Sequence, residues 1–186
     1  MIDNYKTEQQ FEQAMNICKD VYEKKIKDYG TAWRIMRTSS LTDQILIKAF
    51  RIRSFEQKGI QKIEENIENE YIGIVNYSII ALIQLELETY EASELEHDRA
   101  MELYNKYSLE AKNLMMRKNH DYDEIWRNMR ISSYTDLILM KIYRTKQIED
   151  NDGQTIVSEG VDANYFDMIN YSVFALIKLN EFKNLS

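Results

Sequence analysis

Residues able to do chemistry recur in this chain at fixed spacing. Lys48 and Arg51 stand three apart, and Lys141 and Arg144 repeat them. On a helix each pair shares a face and suits phosphate oxygens. Glu70, Gly73 and Asn76 follow at steps of three, and Asn164, Asp167 and Asn170 are their counterparts. Carboxylates at such spacing can jointly hold magnesium, with a polyphosphate completing its shell. The metal candidates are Glu70 and Asp167, with the further acids Glu65 and Glu159. Tyr29, Trp33 and Tyr77, repeated as Tyr122, Trp126 and Tyr171, offer rings for stacking on a base. Asp28 and Arg34 recur as Asp121 and Arg127 and complete the candidate set.

Each of these has a plainer reading. Asp43 and Asp136 sit at the fourth place of Ser-x-x-Asp and can be helix-start residues, worth about 0.5–2 kcal/mol as a cap. Lys48 and Arg51 can be a solvated face, and Glu64, Glu65 and Glu68 a solvated charge run. Asn76 and Asn170, in apolar surroundings, can be buried hydrogen bonders that fix helix register. Trp33 and Trp126 can anchor a core or a loop. Asp28-Tyr29 and Asp121-Tyr122, repeated at a helix end, have no equally simple structural role.

Other chemistries rank low. His97 and His120 have no partner spacing for zinc. There is no Gly-rich phosphate loop and no Ser-His-Asp pattern. The net charge of −7, with both signs well mixed, argues against nucleic acid as a partner. Cys18 is the one cysteine, so no disulfide forms within the chain, and it reads as a small core residue. A reducing, cytoplasmic setting is expected. The first residues are polar, and the apolar run Ile79–Ile83 is too short to span a membrane.

The elements that position these residues come in two copies. From Asp28 to Arg53, 14 of 26 positions are identical to those from Asp121 to Lys146. Tyr71, Asn76-Tyr77-Ser78 and Ala81-Leu82-Ile83 recur as Tyr165, Asn170-Tyr171-Ser172 and Ala175-Leu176-Ile177. The reading is a first repeat over 1–93 and a second over 94–186, packed together because so short a unit buries a core poorly alone. There is no proline, and only five glycines occur, which favours helices throughout. Phe11, Met15, Cys18, Val21 or Tyr22, and Ile26 line one face of a helix over about 7–27, with Gly30 as its stop. A packed irregular stretch over 29–39 follows, then a helix from near Ser40 to before Lys58. A third helix continues to about Thr89, apolar on all sides over 72–87. The second repeat has the same order, with helices over about 94–119, 133–149 and 162–182. The expected fold is all-α, a bundle of two three-to-four-helix halves related by a pseudo-twofold.

Lys27-Asp28-Tyr29-Gly30, Lys48-Ala49-Phe50-Arg51 and Asn76-Tyr77 resemble the nucleotide modification associated domain 1 family. His120-Asp121-Tyr122, Lys141-Ile142-Tyr143-Arg144 and Asn170-Tyr171 repeat the resemblance, which covers nearly the whole chain. That family is similar in pattern to all-α NTP pyrophosphatases of the MazG and dimeric dUTPase type. The likeness implies magnesium held by an ExxE pair and an ExxD pair. Here the ExxE pair is absent at the start of the second helix and the ExxD pair is broken in both copies: Glu70 stands opposite Gly73, and Asp167 beside Asn164. Asp123 also replaces Gly30. Either the halves share one composite site, or the metal site has decayed. The resemblance therefore implies magnesium-dependent binding or pyrophosphohydrolysis of a nucleoside polyphosphate. A catalytically inactive scaffold, nucleotide sensor or protein-interaction module is the alternative, and a homodimer stays open.

Overall fold

The structure is a computed structural model that describes residues 4–58, 64–88, 93–122, 124–157 and 159–183. Its described helices are α1 (Asn4–Tyr29), α2 (Thr38–Lys58), α3 (Glu64–Leu87), α4 (His97–Tyr122), α5 (Ile131–Asp150) and α6 (Val161–Lys183). Short 3-10 turns, Ala32–Ile35 and Ile125–Asn128, join α1 to α2 and α4 to α5. No strand occurs among the described residues. The fold is the expected all-α bundle of two halves.

The core follows from the apolar spacing. Phe11, Met15, Cys18, Tyr22 and Ile26 form the buried face of α1, so Tyr22 rather than Val21 completes it. Burial pushes the Cys18 thiol far up, which makes it an inert core residue. In α3, Tyr71, Ile74, Val75, Ile79 and Ile83 are all fully buried, and α6 repeats this with Tyr165, Met168, Ile169 and Val173. By length and composition Ile67–Leu87 could cross a membrane, yet 72% of its most apolar window is buried inside the bundle.

Gly30 ends α1 as expected, with φ +64° and its N–H on the Ile26 carbonyl at 2.8 Å. In the second half Glu124 takes the left-handed conformation, φ +52°. Asp123 itself lies outside the described residues.

The capping-box expectation needs correction. α2 starts at Thr38, two residues before Ser40, and α5 starts at Ile131 with no side-chain cap. Asp43 instead pairs with Lys146, and Asp136 approaches Arg53 at 3.9 Å. These are the same two positions exchanged between halves. The interior does likewise. The Thr42 hydroxyl donates to Glu149 at 2.9 Å and lies 2.7 Å from the Tyr165 hydroxyl. The Thr135 hydroxyl donates to Glu56 at 2.8 Å and lies 2.8 Å from the Tyr71 hydroxyl. Each threonine thus binds the glutamate and tyrosine of the opposite half. Burial pushes the Glu56 and Glu149 carboxyls above the usual range.

Candidate functional site

In the first half, α1, the 3-10 turn, α2 and α3 enclose a cavity of about 340 Å³. Four of its walls are aromatic: Tyr22, Tyr29, Trp33 and Tyr77. Two of these rings carry buried donors without a partner among the described residues, the Tyr22 hydroxyl and the Trp33 indole N–H.

The cations enter from two helices. Lys25 comes from α1 and Lys48 from α2, both lining the cavity. Lys48 Nζ lies 3.3 Å from Glu70 and 5.8 Å from the centre of the Tyr77 ring. Arg51, one turn further along α2, pairs with the same carboxylate at 3.0 Å. Lys25 has no ion pair among the described residues. The Glu70 carboxylate therefore pairs with two cations, and Lys25 adds a third positive charge along the cavity, with the Glu94 carboxylate against Gly30 at its edge. Such a surface attracts a phosphate rather than a metal ion.

Asn76 also lines this cavity, but its amide is spent. It donates to the Cys18 carbonyl at 3.0 Å and accepts from the Tyr104 hydroxyl at 2.9 Å. It ties α3 to α1 and α4, the register role expected of a buried asparagine.

The second half has a cavity of about 340 Å³ in the corresponding place, lined by Lys118, Trp126, Asp167, Asn170, Tyr171 and five apolar or amide neighbours. Lys118 matches Lys25, and Asp167 matches Gly73. Lys118 and Lys141 close on Asp167 at 2.7 and 2.6 Å. Here Phe174 replaces Ile80 and stacks on Trp126 with centroids 4.3 Å apart. Asn164, the counterpart of Glu70, donates locally to the Gly160 carbonyl.

Glu70 and Asp167 line different cavities that share no residue, so they do not meet in one composite site. Nor does either fit a resident magnesium. That ion needs several oxygen ligands at close range, whereas each carboxylate is held by two cations. No group of three or more acidic, His or Cys side chains that could hold a metal occurs among the described residues. Glu159 is exposed and lies with Asp167 along a shallower groove. The Glu65 side chain lies outside the described residues.

Other candidates lie away from the cavities. Arg34 is buried and donates to Gln84, whose own amide donates to the Arg34 and Met36 carbonyls at 2.9 and 2.7 Å. Arg127 lies 4.3 Å over Trp126 and bonds Glu124, Glu181, Thr7 and Gln10. Both arginines lock a 3-10 turn in place. Asp28 is exposed, and Arg144 is partly exposed on α5. The Asp121 and Tyr122 side chains lie outside the described residues. The residues overlooked in the sequence are Lys25 and Lys118. Cations at the end of a helix such as α1 suit its dipole, which masks any further role. Yet Lys25 is the one among Lys24, Lys25 and Lys27 that the second repeat keeps unchanged.

A family model described as Nucleotide modification associated domain 1 matches residues 25–85 and 118–179. The two segments begin at Lys25 and Lys118 and take in most of the lining of both cavities, leaving out Val21, Tyr22 and Met115. No curated protein and no solved structure matches the chain.

Proposed function

With more than half of its length matched by that model, the chain belongs to the nucleotide modification associated domain 1 family, and we propose that its first half binds a phosphorylated nucleotide without cleaving it. The base enters among Tyr29, Trp33 and Tyr77. The Tyr22 hydroxyl and the Trp33 indole N–H are the donors available to its edge. The phosphates meet Lys25 and Lys48, with Arg51 beyond them. The observation that carries this reading is Lys25, without an ion pair among the described residues, lining the same aromatic cavity as Lys48.

Pyrophosphohydrolysis is not part of the proposal. The carboxylates that would have to hold magnesium are engaged by lysine and arginine. Any magnesium that takes part arrives with the polyphosphate.

The test is a thermal-shift and calorimetric screen of NTPs and dNTPs, with nucleosides beside them, and pyrophosphate detection on any hit. A triphosphate is expected to bind, with affinity falling at least tenfold in Lys25→Ala, Lys48→Ala. Unchanged affinity in that double variant sinks the phosphate assignment.

A further inference from the structure

The two cavities differ in what they leave unsatisfied. Asn170 is 4% exposed and lines the second cavity. Neither its Oδ1 nor its Nδ2 has a hydrogen-bond partner among the described residues. The equivalent atoms of Asn76 are both used, one by the Tyr104 hydroxyl. In the repeat the position of Tyr104 is taken by Phe11, which has no hydroxyl to give. A buried amide left unpaired gives up its hydrogen bonds to water with no return, so its presence calls for a partner. The Trp126 indole N–H, also in this cavity, is a second buried donor without one.

Charge separates the cavities as well. Lys25 has no ion pair among the described residues, but its counterpart Lys118 is held by Asp167, as is Lys141. A phosphate entering the second cavity would have to displace that carboxylate from both lysines. A neutral ligand would not. The walls are Met115, Met129, Tyr171 and the Trp126–Phe174 stack, apolar and polarisable surfaces that suit a flat ring.

We infer that the second-half cavity is a separate site for an unphosphorylated nucleobase or nucleoside. An asparagine amide presents a donor and an acceptor side by side, which matches the paired donor and acceptor on a base edge. The Trp126 N–H supplies one further bond. Nothing in this site uses Lys25 or Lys48, so it stands or falls apart from the phosphate site.

The chain has two tryptophans, one in each cavity. Trp33→Phe leaves Trp126 as the only indole reporter. Adenosine, guanosine, cytidine, uridine and thymidine are titrated in turn while its fluorescence is followed. At least one is expected to change the emission saturably. Adding Asn170→Leu should weaken that response at least tenfold without lowering the melting temperature, because it removes an unpaired amide. In the unsubstituted protein the indole N–H resonances give the same reading, and the Trp126 signal should move. The inference is overturned if no nucleoside moves Trp126. It is equally overturned if Asn170→Leu lowers the melting temperature and leaves the titration intact, since the amide then serves the fold.

Discussion

Lys48 lies across Gly73, so that a Cβ at residue 73 would stand 2.5 Å from the lysine Cε. The counterpart of Gly73 is Asp167, which bonds the counterpart lysine, Lys141, at 2.6 Å. This one exchange sets the character of each cavity. Without a carboxylate at 73, Lys48 reaches on to Glu70 and Lys25 keeps its charge unpaired. With one at 167, both lysines are neutralised.

Gly73→Asp should therefore convert the first cavity to the charge pattern of the second. The intruding contact is with a flexible lysine stem, which can swing to pair with the new carboxylate. Replacing the helical glycine by aspartate also gains roughly a few tenths of a kcal/mol in helix propensity. The expected result is an unchanged or higher melting temperature together with a loss of triphosphate binding of at least tenfold. Retained binding in a folded Gly73→Asp variant would separate Lys25 from phosphate recognition.

Asn76 and Asn170 should respond in opposite ways to the same substitution. Asn76→Leu strands the buried Tyr104 hydroxyl and removes the second bond to the Cys18 carbonyl, and should cost about 1–3 kcal/mol in denaturant unfolding. Asn170→Leu strands nothing among the described residues and should cost little or stabilise. Equal losses would show that Asn170 has a structural partner.

Glu56 and Glu149 should make stability depend on pH. Burial raises both carboxyls, so the folded chain keeps protons that the unfolded chain has already released. The associated stability is fully present below the ordinary glutamate value of about 4.3 and is lost as pH rises through the raised values. Glu56→Gln, Glu149→Gln keeps an acceptor for each threonine but no longer titrates. Its melting temperature should fall less than that of the parent as pH rises through this window. Parallel curves for the two proteins would remove these glutamates from the account.

Much of the fold was legible because duplication and helical spacing are local in sequence. The buried face of α1, the all-round burial of α3 and the Gly30 stop followed from residue types alone. The helix starts at Thr38 and Ile131 did not. Ser40 and Asp43 fit a local cap, but Asp43 is claimed by Lys146 from the other half, a contact no spacing rule reveals. The site was legible in part. Trp33, Lys48, Glu70, Asn76 and Tyr77 do meet around one cavity. What spacing could not tell was who neutralises whom. Glu70 looked like a metal ligand until Lys48 and Arg51 were placed on it. Arg34 looked like a phosphate ligand until Gln84 was placed against it. Lys25 was hidden among neighbouring lysines, and only its pairing state distinguishes it.

The central claim is that the first cavity recognises phosphate through Lys25 and Lys48 and does not hydrolyse it. The most direct measurement titrates triphosphates into the parent protein and into Lys25→Ala, Lys48→Ala, reading the melting temperature and released pyrophosphate together. At 100 times its dissociation constant a bound triphosphate adds about 2.7 kcal/mol to the parent. The account predicts a clear upward shift for the parent, a much smaller one for the variant and no pyrophosphate from either. A parent that shows no shift with any triphosphate, or one that releases pyrophosphate with turnover, contradicts it.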